Sequence, residues 1–224
     1  YIRYRLLSEE DIIKKTLSVN SFTKTEKFIQ EIYWRTYWKG WLEHRPNVYV
    51  DYLTDRNELL KNLSNTSMYQ KAINGETNLT FFNEWIKKLK EDGYLHNHVR
   101  MWFASIWIFT LDLPWQLGAN FFMENLLDGD PASNTLSWRW VSGIQTKGKH
   151  YLARKNNIIK YGNIEINKNI ELNEQAVCLE ESKGYYAKDL VFDNPKTDDL
   201  DSILIPTDDL NFILNTEFQF KNIF

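Results

Sequence analysis

Asp128-Gly129-Asp130-Pro131-Ala132-Ser133-Asn134-Thr135-Leu136-Ser137-Trp138-Arg139-Trp140 puts two acids, an amide and two indoles into one short stretch. Asp-Gly-Asp predicts a turn, and Pro131, whose fixed φ suits a first helical turn, predicts a helix reaching about Trp140. Asn134 and Trp138 then stand at i and i+4, on one face. Acids and amides can hold the polar edge of a planar heterocycle, and indoles can stack on it or pass electrons to it. The two acids could equally do no more than cap the helix. They could bind Mg²⁺, but no phosphate-cradling glycine-rich loop accompanies them. A paired-carboxylate hydrolase would not call for the tryptophans, and nothing nearby resembles Ser/His/Asp or Cys/His catalysis.

Upstream, His96-Asn97-His98-Val99-Arg100-Met101 sits in an apolar segment predicted as a helix over 94–111. Asn97, Arg100 and Met101 share a face, and a cationic arginine in an apolar helix needs an anion, for which the Asp128/Asp130 turn is the candidate. His96 and His98 could be read as a metal pair. However, positions two apart on a helix point away from each other and no third ligand is spaced to help, so no metal is expected.

Further helices are predicted over 9–19, 25–43, 54–63, 67–73, 78–92 and 115–127, with Gly93 stopping the fifth of these and a loop over 143–148. On the 25–43 helix, Glu31, Trp34, Arg35 and Trp38 fall at i, i+3, i+4 and i+7. That stripe could hold a ring and an anion, or be a half-buried face with an ion pair. After Arg154 no long helical period remains, so residues 155–224 read as an irregular or mixed extension. This extension carries 7 Lys/Arg against 13 Asp/Glu, whereas residues 1–154 carry 20 against 17. The acidity is therefore in the tail, and the body could still face phosphates despite a net charge of −3. Nine tryptophans are more than core filling asks for. The single Cys178 excludes an internal disulfide and a cysteine-built zinc or iron–sulfur site, and makes a reducing compartment the default. No apolar run is long enough to span a membrane.

Glu31-Ile32-Tyr33-Trp34-Arg35, Tyr94 to Met101, and Leu127 to Trp140 together resemble the FAD-binding domain of the DNA photolyase/cryptochrome family, and Tyr1 to Ser8 resembles the segment opening its helices. The resemblance covers roughly residues 1–154, in order and at similar spacing. It implies an all-α, helical FAD- and lesion-binding domain over 1–154 followed by the acidic extension 155–224. It also implies a lyase that splits cyclobutane pyrimidine dimers in UV-damaged DNA by light-driven electron transfer from reduced FAD. Phe28, Arg35, Tyr94, Asn97, Arg100, Asp128, Asp130 and Asn134 would hold FAD, with Arg100 and Asp128 paired beside the ring and Asn134 facing its N5. Phe28 and Tyr94 stand where the family has tryptophan.

Glu31, Trp34, Asn97, Met101 and Trp140 would act at the flipped lesion, with Trp34 and Trp140 as stacking walls and Glu31 either protonated by burial or well solvated. Lys147, Lys149 and Arg154 would meet DNA phosphates. Trp138 and Trp115 match the first two members of an electron relay. The third position is Leu63, so the chain looks broken there: either Tyr69 or another aromatic substitutes, or photoreduction is poor. The antenna domain or pigment, and the loop that binds the FAD diphosphate, would lie before Tyr1. A monomer is expected, without membrane contact, in a bacterial cytoplasm or on the nucleoid. A cryptochrome-like photoreceptor signalling through the tail, and a non-catalytic flavin- or DNA-binding remnant, are the alternative readings.

Overall fold

The computed structural model describes residues 2–191, 202–203 and 222–223. The chain divides into two compact units, one formed by residues 1–44 with 188–224 and the other by residues 45–187.

The first unit holds a short 3₁₀ turn (Ile2–Tyr4), α1 (Glu9–Val19) and α2 (Phe22–Glu43). Ser8 starts α1 with a capping box: its hydroxyl accepts from the Asp11 N–H at 3.1 Å, and the Asp11 carboxylate accepts from the Ser8 N–H at 3.3 Å. Only Thr25, Ile29 and Ile32 of α2 are buried. His44 holds Lys188 twice, accepting from its N–H at 2.8 Å and pairing Nδ1 with its carbonyl at 2.8 Å. Ser202–Ile203 and Asn222–Ile223 form a parallel pair of two-residue strands, β1 and β2. Of the short apolar run Ile203-Leu204-Ile205, which Pro206 stops in the sequence, only Ile203 lies among the described residues.

The second unit is built from α3 (Pro46–Leu63), α4 (Ser67–Asn74), α5 (Thr80–Asp92), α6 (Asn97–Ser105), α7 (Trp115–Asn125), α8 (Pro131–Ser142) and α9 (Lys155–Gly162). Its core is aromatic: Phe82, Phe103, Trp107 and Trp138 are almost wholly buried, and Phe103 meets each of the other three. Gly75, Gly93 and Gly143 end α4, α5 and α8 at positive φ, where other residues would be strained.

The predicted helices are present, with three corrections. The 54–63 helix begins eight residues earlier, because Pro46 opens it at the first helical position. The 94–111 segment becomes helical only at Asn97, since His96 is extended and caps it by accepting from the His98 N–H at 3.3 Å. From Ile106 to Thr110 the same helix widens into a π turn. After Arg154 there is one more helix, α9, and the rest of 163–187 is irregular but anchored to the unit. Asn173 donates to the Phe109 carbonyl at 3.1 Å, and the Leu179 N–H donates to the Ser142 carbonyl at 2.9 Å. Among the described residues no helix is long and apolar enough to cross a membrane.

Candidate functional site

The Asp128–Trp140 stretch folds as its residues dictate. Asp130 is the N-cap of α8: its Oδ1 accepts from the Ser133 N–H at 2.9 Å, and Pro131 follows at the first helical position. With Asp130 tied to the helix start and 3% exposed, Asp128 is left two residues before that cap, outside the helix, with a half-exposed side chain. Arg100, one turn into α6, reaches it: Nη2 donates to Asp128 Oδ2 at 2.9 Å. Two further contacts fix the guanidinium. Its Nε donates to the Leu95 carbonyl at 2.7 Å, and its Cζ lies 5.3 Å over the Tyr94 ring. The expected arginine–carboxylate pair is therefore formed, with Tyr94 beneath it.

The pair is not closed on itself. Among the described residues, Arg100 Nη1 and Asp128 Oδ1 carry no hydrogen bond. An N–H donor and a carboxylate acceptor thus stand side by side, which is the donor set that the alternating N–H and C=O edge of an isoalloxazine ring requires. Asn134 is buried in α8, and its Nδ2 donates to the Ala119 carbonyl at 2.8 Å, across to α7. That bond takes one of the amide's two N–H donors and fixes the rotamer, which leaves its carbonyl oxygen to accept from a ring N–H. The residues present fit a flavin on this chemistry.

The remaining expected residues of this unit are distributed as follows. Asn97 is exposed at the start of α6, and Met101 is half-buried one turn later. Trp140 is half-buried and stacks on Tyr151, with centroids 6.0 Å apart. Lys147 and Lys149, in the turn after α8, are exposed, as is Arg154 before α9. Trp115 is buried and stacks on Tyr52 at 5.4 Å. Trp138 is buried against Phe103, Phe122 and Trp107. Leu63, at the interrupted relay position, packs on the edge of the core.

In the first unit, Phe28, Glu31, Trp34 and Arg35 lie on α2. Glu31 is exposed, which leaves it a solvated carboxylate and not a buried one. Trp34 is 48% exposed and stacks on Trp38 at 5.4 Å, with Tyr37 edge-on at 5.5 Å. Phe28 is exposed and Arg35 half-buried.

Two features of the second unit escaped the sequence reading. Arg139 is 3% exposed and clasps Glu181 through both terminal nitrogens, at 2.5 and 2.7 Å. Its guanidinium lies between Trp115 and Tyr185, 6.0 and 5.4 Å from the ring centroids. These four side chains help line a cavity of about 190 Å³ that Tyr52 and Asp55 also border. Tyr185 in turn donates its hydroxyl to Asp51 at 2.9 Å. Burial, and the acids Asp51 and Glu181, push its pKa well above the ordinary tyrosine value. Nothing local in the sequence signals the pair, because its partners are 42 residues apart. Among the described residues, no group of three or more His, Cys, Asp or Glu side chains is gathered as a metal ion would require.

Comparison with known proteins gives these residues a context. The family model described as the FAD binding domain of DNA photolyase matches residues 28–167. A deoxyribodipyrimidine photo-lyase of Buchnera aphidicola subsp. Baizongia pistaciae is 28% identical over 154 residues, covering 63% of this chain and 30% of that protein. A protein of the same name from Streptomyces griseus is 30% identical over 122 residues, covering 54% and 26%. The chain thus spans less than a third of the length of these curated relatives. Its fold is similar to that of a bacterial class III photolyase from Agrobacterium tumefaciens, with a TM-score of 0.56 and 23% identity over 70% of this chain and 34% of that one.

Proposed function

The chain belongs to the family of FAD-binding domains of DNA photolyase, and from that premise we propose that it is the flavin-holding part of a light-driven repair enzyme for cyclobutane pyrimidine dimers. The observation that carries the reading is the Arg100–Asp128 pair, closed at 2.9 Å on one edge and open on the other. When bound and reduced, the flavin supplies the light-excited electron donor. Asp128 and Arg100 hold the ring's polar edge, and the fixed amide of Asn134 offers its oxygen to the ring N–H. Asp130 contributes at one remove, by holding the start of the helix that carries Asn134.

The lesion-handling roles rest on the resemblance and on exposure. A flipped pyrimidine dimer needs flat apolar walls and a hydrogen-bond partner. Trp34 and Trp140 present indole faces that are not fully covered, and Met101 offers an adaptable apolar contact. Glu31 and Asn97, both exposed, are free to meet the pyrimidine edge. Lys147, Lys149 and Arg154 are exposed cations in the segment that follows α8, suited to phosphates.

Purified protein, loaded with FAD and chemically reduced, is expected to split thymine dimers in an irradiated oligonucleotide under blue light. Glu31→Ala should lower the yield per absorbed photon several-fold without changing flavin content. Full loading and reduction with no dimer splitting would overturn the reading.

A further inference from the structure

We infer that the electron route leading away from Trp138 in this chain runs through Trp107 to Tyr69. The inference rests on the flavin reading above and goes beyond it by identifying this chain's own path around Leu63.

Among the described residues, Trp138 makes ring contacts with Phe103, Phe122 and Trp107. A benzyl ring is far harder to oxidise than an indole, so Trp107 is the one contact that can accept a positive hole. The two indoles meet edge to face, with centroids 6.3 Å apart at 85°. Trp107 in turn meets the Tyr69 phenol at 6.1 Å and 90°. Trp115 instead stacks on Tyr52, under the Arg139 guanidinium.

Three local features build this contact. Trp107 sits in the π turn, which alters the direction of its side chain relative to a continued α-helix. Its indole N–H donates to the Pro114 carbonyl at 3.0 Å. That oxygen fixes the ring and lays negative partial charge where positive charge would develop, yet it cannot keep a proton, so the hole stays mobile. Gly118 leaves the space: a Cβ there would lie 2.2 Å from the Trp138 ring and 3.0 Å from that of Trp107.

Electrons and protons balance as follows. Trp138 gives one electron to the light-excited, oxidised flavin. Trp107 refills Trp138, and Tyr69 refills Trp107. Oxidation of Tyr69 breaks its O–H bond. The proton passes to water or to the Glu124 carboxylate, whose charge is felt at the phenol, and a neutral tyrosyl radical remains. A thiol in solution returns one electron and one proton to Tyr69 and becomes a thiyl radical.

The test is a blue flash on FAD-loaded, oxidised protein, read by transient absorption and electron paramagnetic resonance. A tyrosyl signal is expected, lost in Tyr69→Phe together with about a tenfold fall in lasting photoreduction. Trp107→Phe should stop oxidation at Trp138, and Trp107→Tyr should restore part of the yield, which a purely structural role would not distinguish. A tyrosyl signal that survives Tyr69→Phe overturns the route. So does loss in Trp115→Phe with full yield in Trp107→Phe. Dimer repair by the unmodified, chemically reduced protein separates the two claims: normal repair with an unaltered signal in Tyr69→Phe sinks the route alone. A protein that takes up no flavin sinks both.

Discussion

Arg100 and Arg139 each hold a carboxylate within the same unit. At Asp128 the side chains are 24% and 51% exposed, and one nitrogen and one oxygen remain open. At Glu181 they are 4% and 20% exposed, and both terminal nitrogens and the Nε of Arg139 are used, the last on Gln145 at 3.1 Å. The difference separates a pair that can bind from a pair that can only fasten. Water at the first lowers its worth to stability but leaves atoms that a ligand edge can replace water upon. Desolvation at the second makes each partner depend on the other.

The largest effect is expected where the pair is closed. Arg139→Ala leaves the largely desolvated Glu181 without its partner and removes the cation between Trp115 and Tyr185, and should cost about 3–5 kcal/mol, measured by urea unfolding. Replacing both partners with apolar residues, as in Arg139→Met with Glu181→Leu, should recover most of that loss. If the single and double variants were equally damaged, packing and not charge would be what Arg139 supplies.

A middle-sized effect distinguishes the two pairs by pH. Burial is the first cause of the raised pKa values of Tyr52 and Tyr185, both beside the closed pair, and the acids Asp51 and Glu181 add to it at Tyr185. A phenol held neutral in the folded state and free to ionise when unfolded stabilises the fold fully below the unfolded value, about 10. That contribution is lost as pH rises from there through the folded value. Stability should therefore fall steeply above about pH 10. Tyr52→Phe with Tyr185→Phe should flatten the fall in a denaturation series from pH 8 to 11. An unchanged slope would mean that these phenols ionise freely in the folded protein.

How much of this was legible in the sequence follows from how local each signal is. Asp130 as a cap, Pro131 after it, Gly93 as a helix stop and the need of Arg100 for an anion are all decided within a few residues or by one matching turn. The first two turns of α3 were missed although Pro46 announces them, because its apolar positions are mixed with exposed ones. The π turn at 106–110 has no composition of its own: in a segment buried on all sides, periodicity cannot tell 3.6 residues per turn from a wider turn. Arg139 was hidden between two tryptophans, and its partner lies in a segment with no periodic pattern at all. The attachment of 163–187 to the helices depends on single hydrogen bonds such as those of Asn173 and Leu179, which no pattern encodes.

The smallest effect on stability, and the sharpest test of the comparison, belongs to Asp128→Asn. The amide keeps the shape and one acceptor oxygen but removes the charge. Arg100 retains the Leu95 carbonyl and the face of Tyr94, and water can reach what it loses. Unfolding free energy should change by less than about 1 kcal/mol. Binding is another matter. Hydrogen bonds to charged groups contribute about 1.5–3 kcal/mol, so flavin affinity should fall roughly 10- to 100-fold, read by fluorescence titration of the free cofactor. The two measurements must part company if the open edge is what the pair is for. A stability loss approaching that of Arg139→Ala, with affinity unmoved, would make Asp128 a second fastening and leave the flavin edge to be held by other residues.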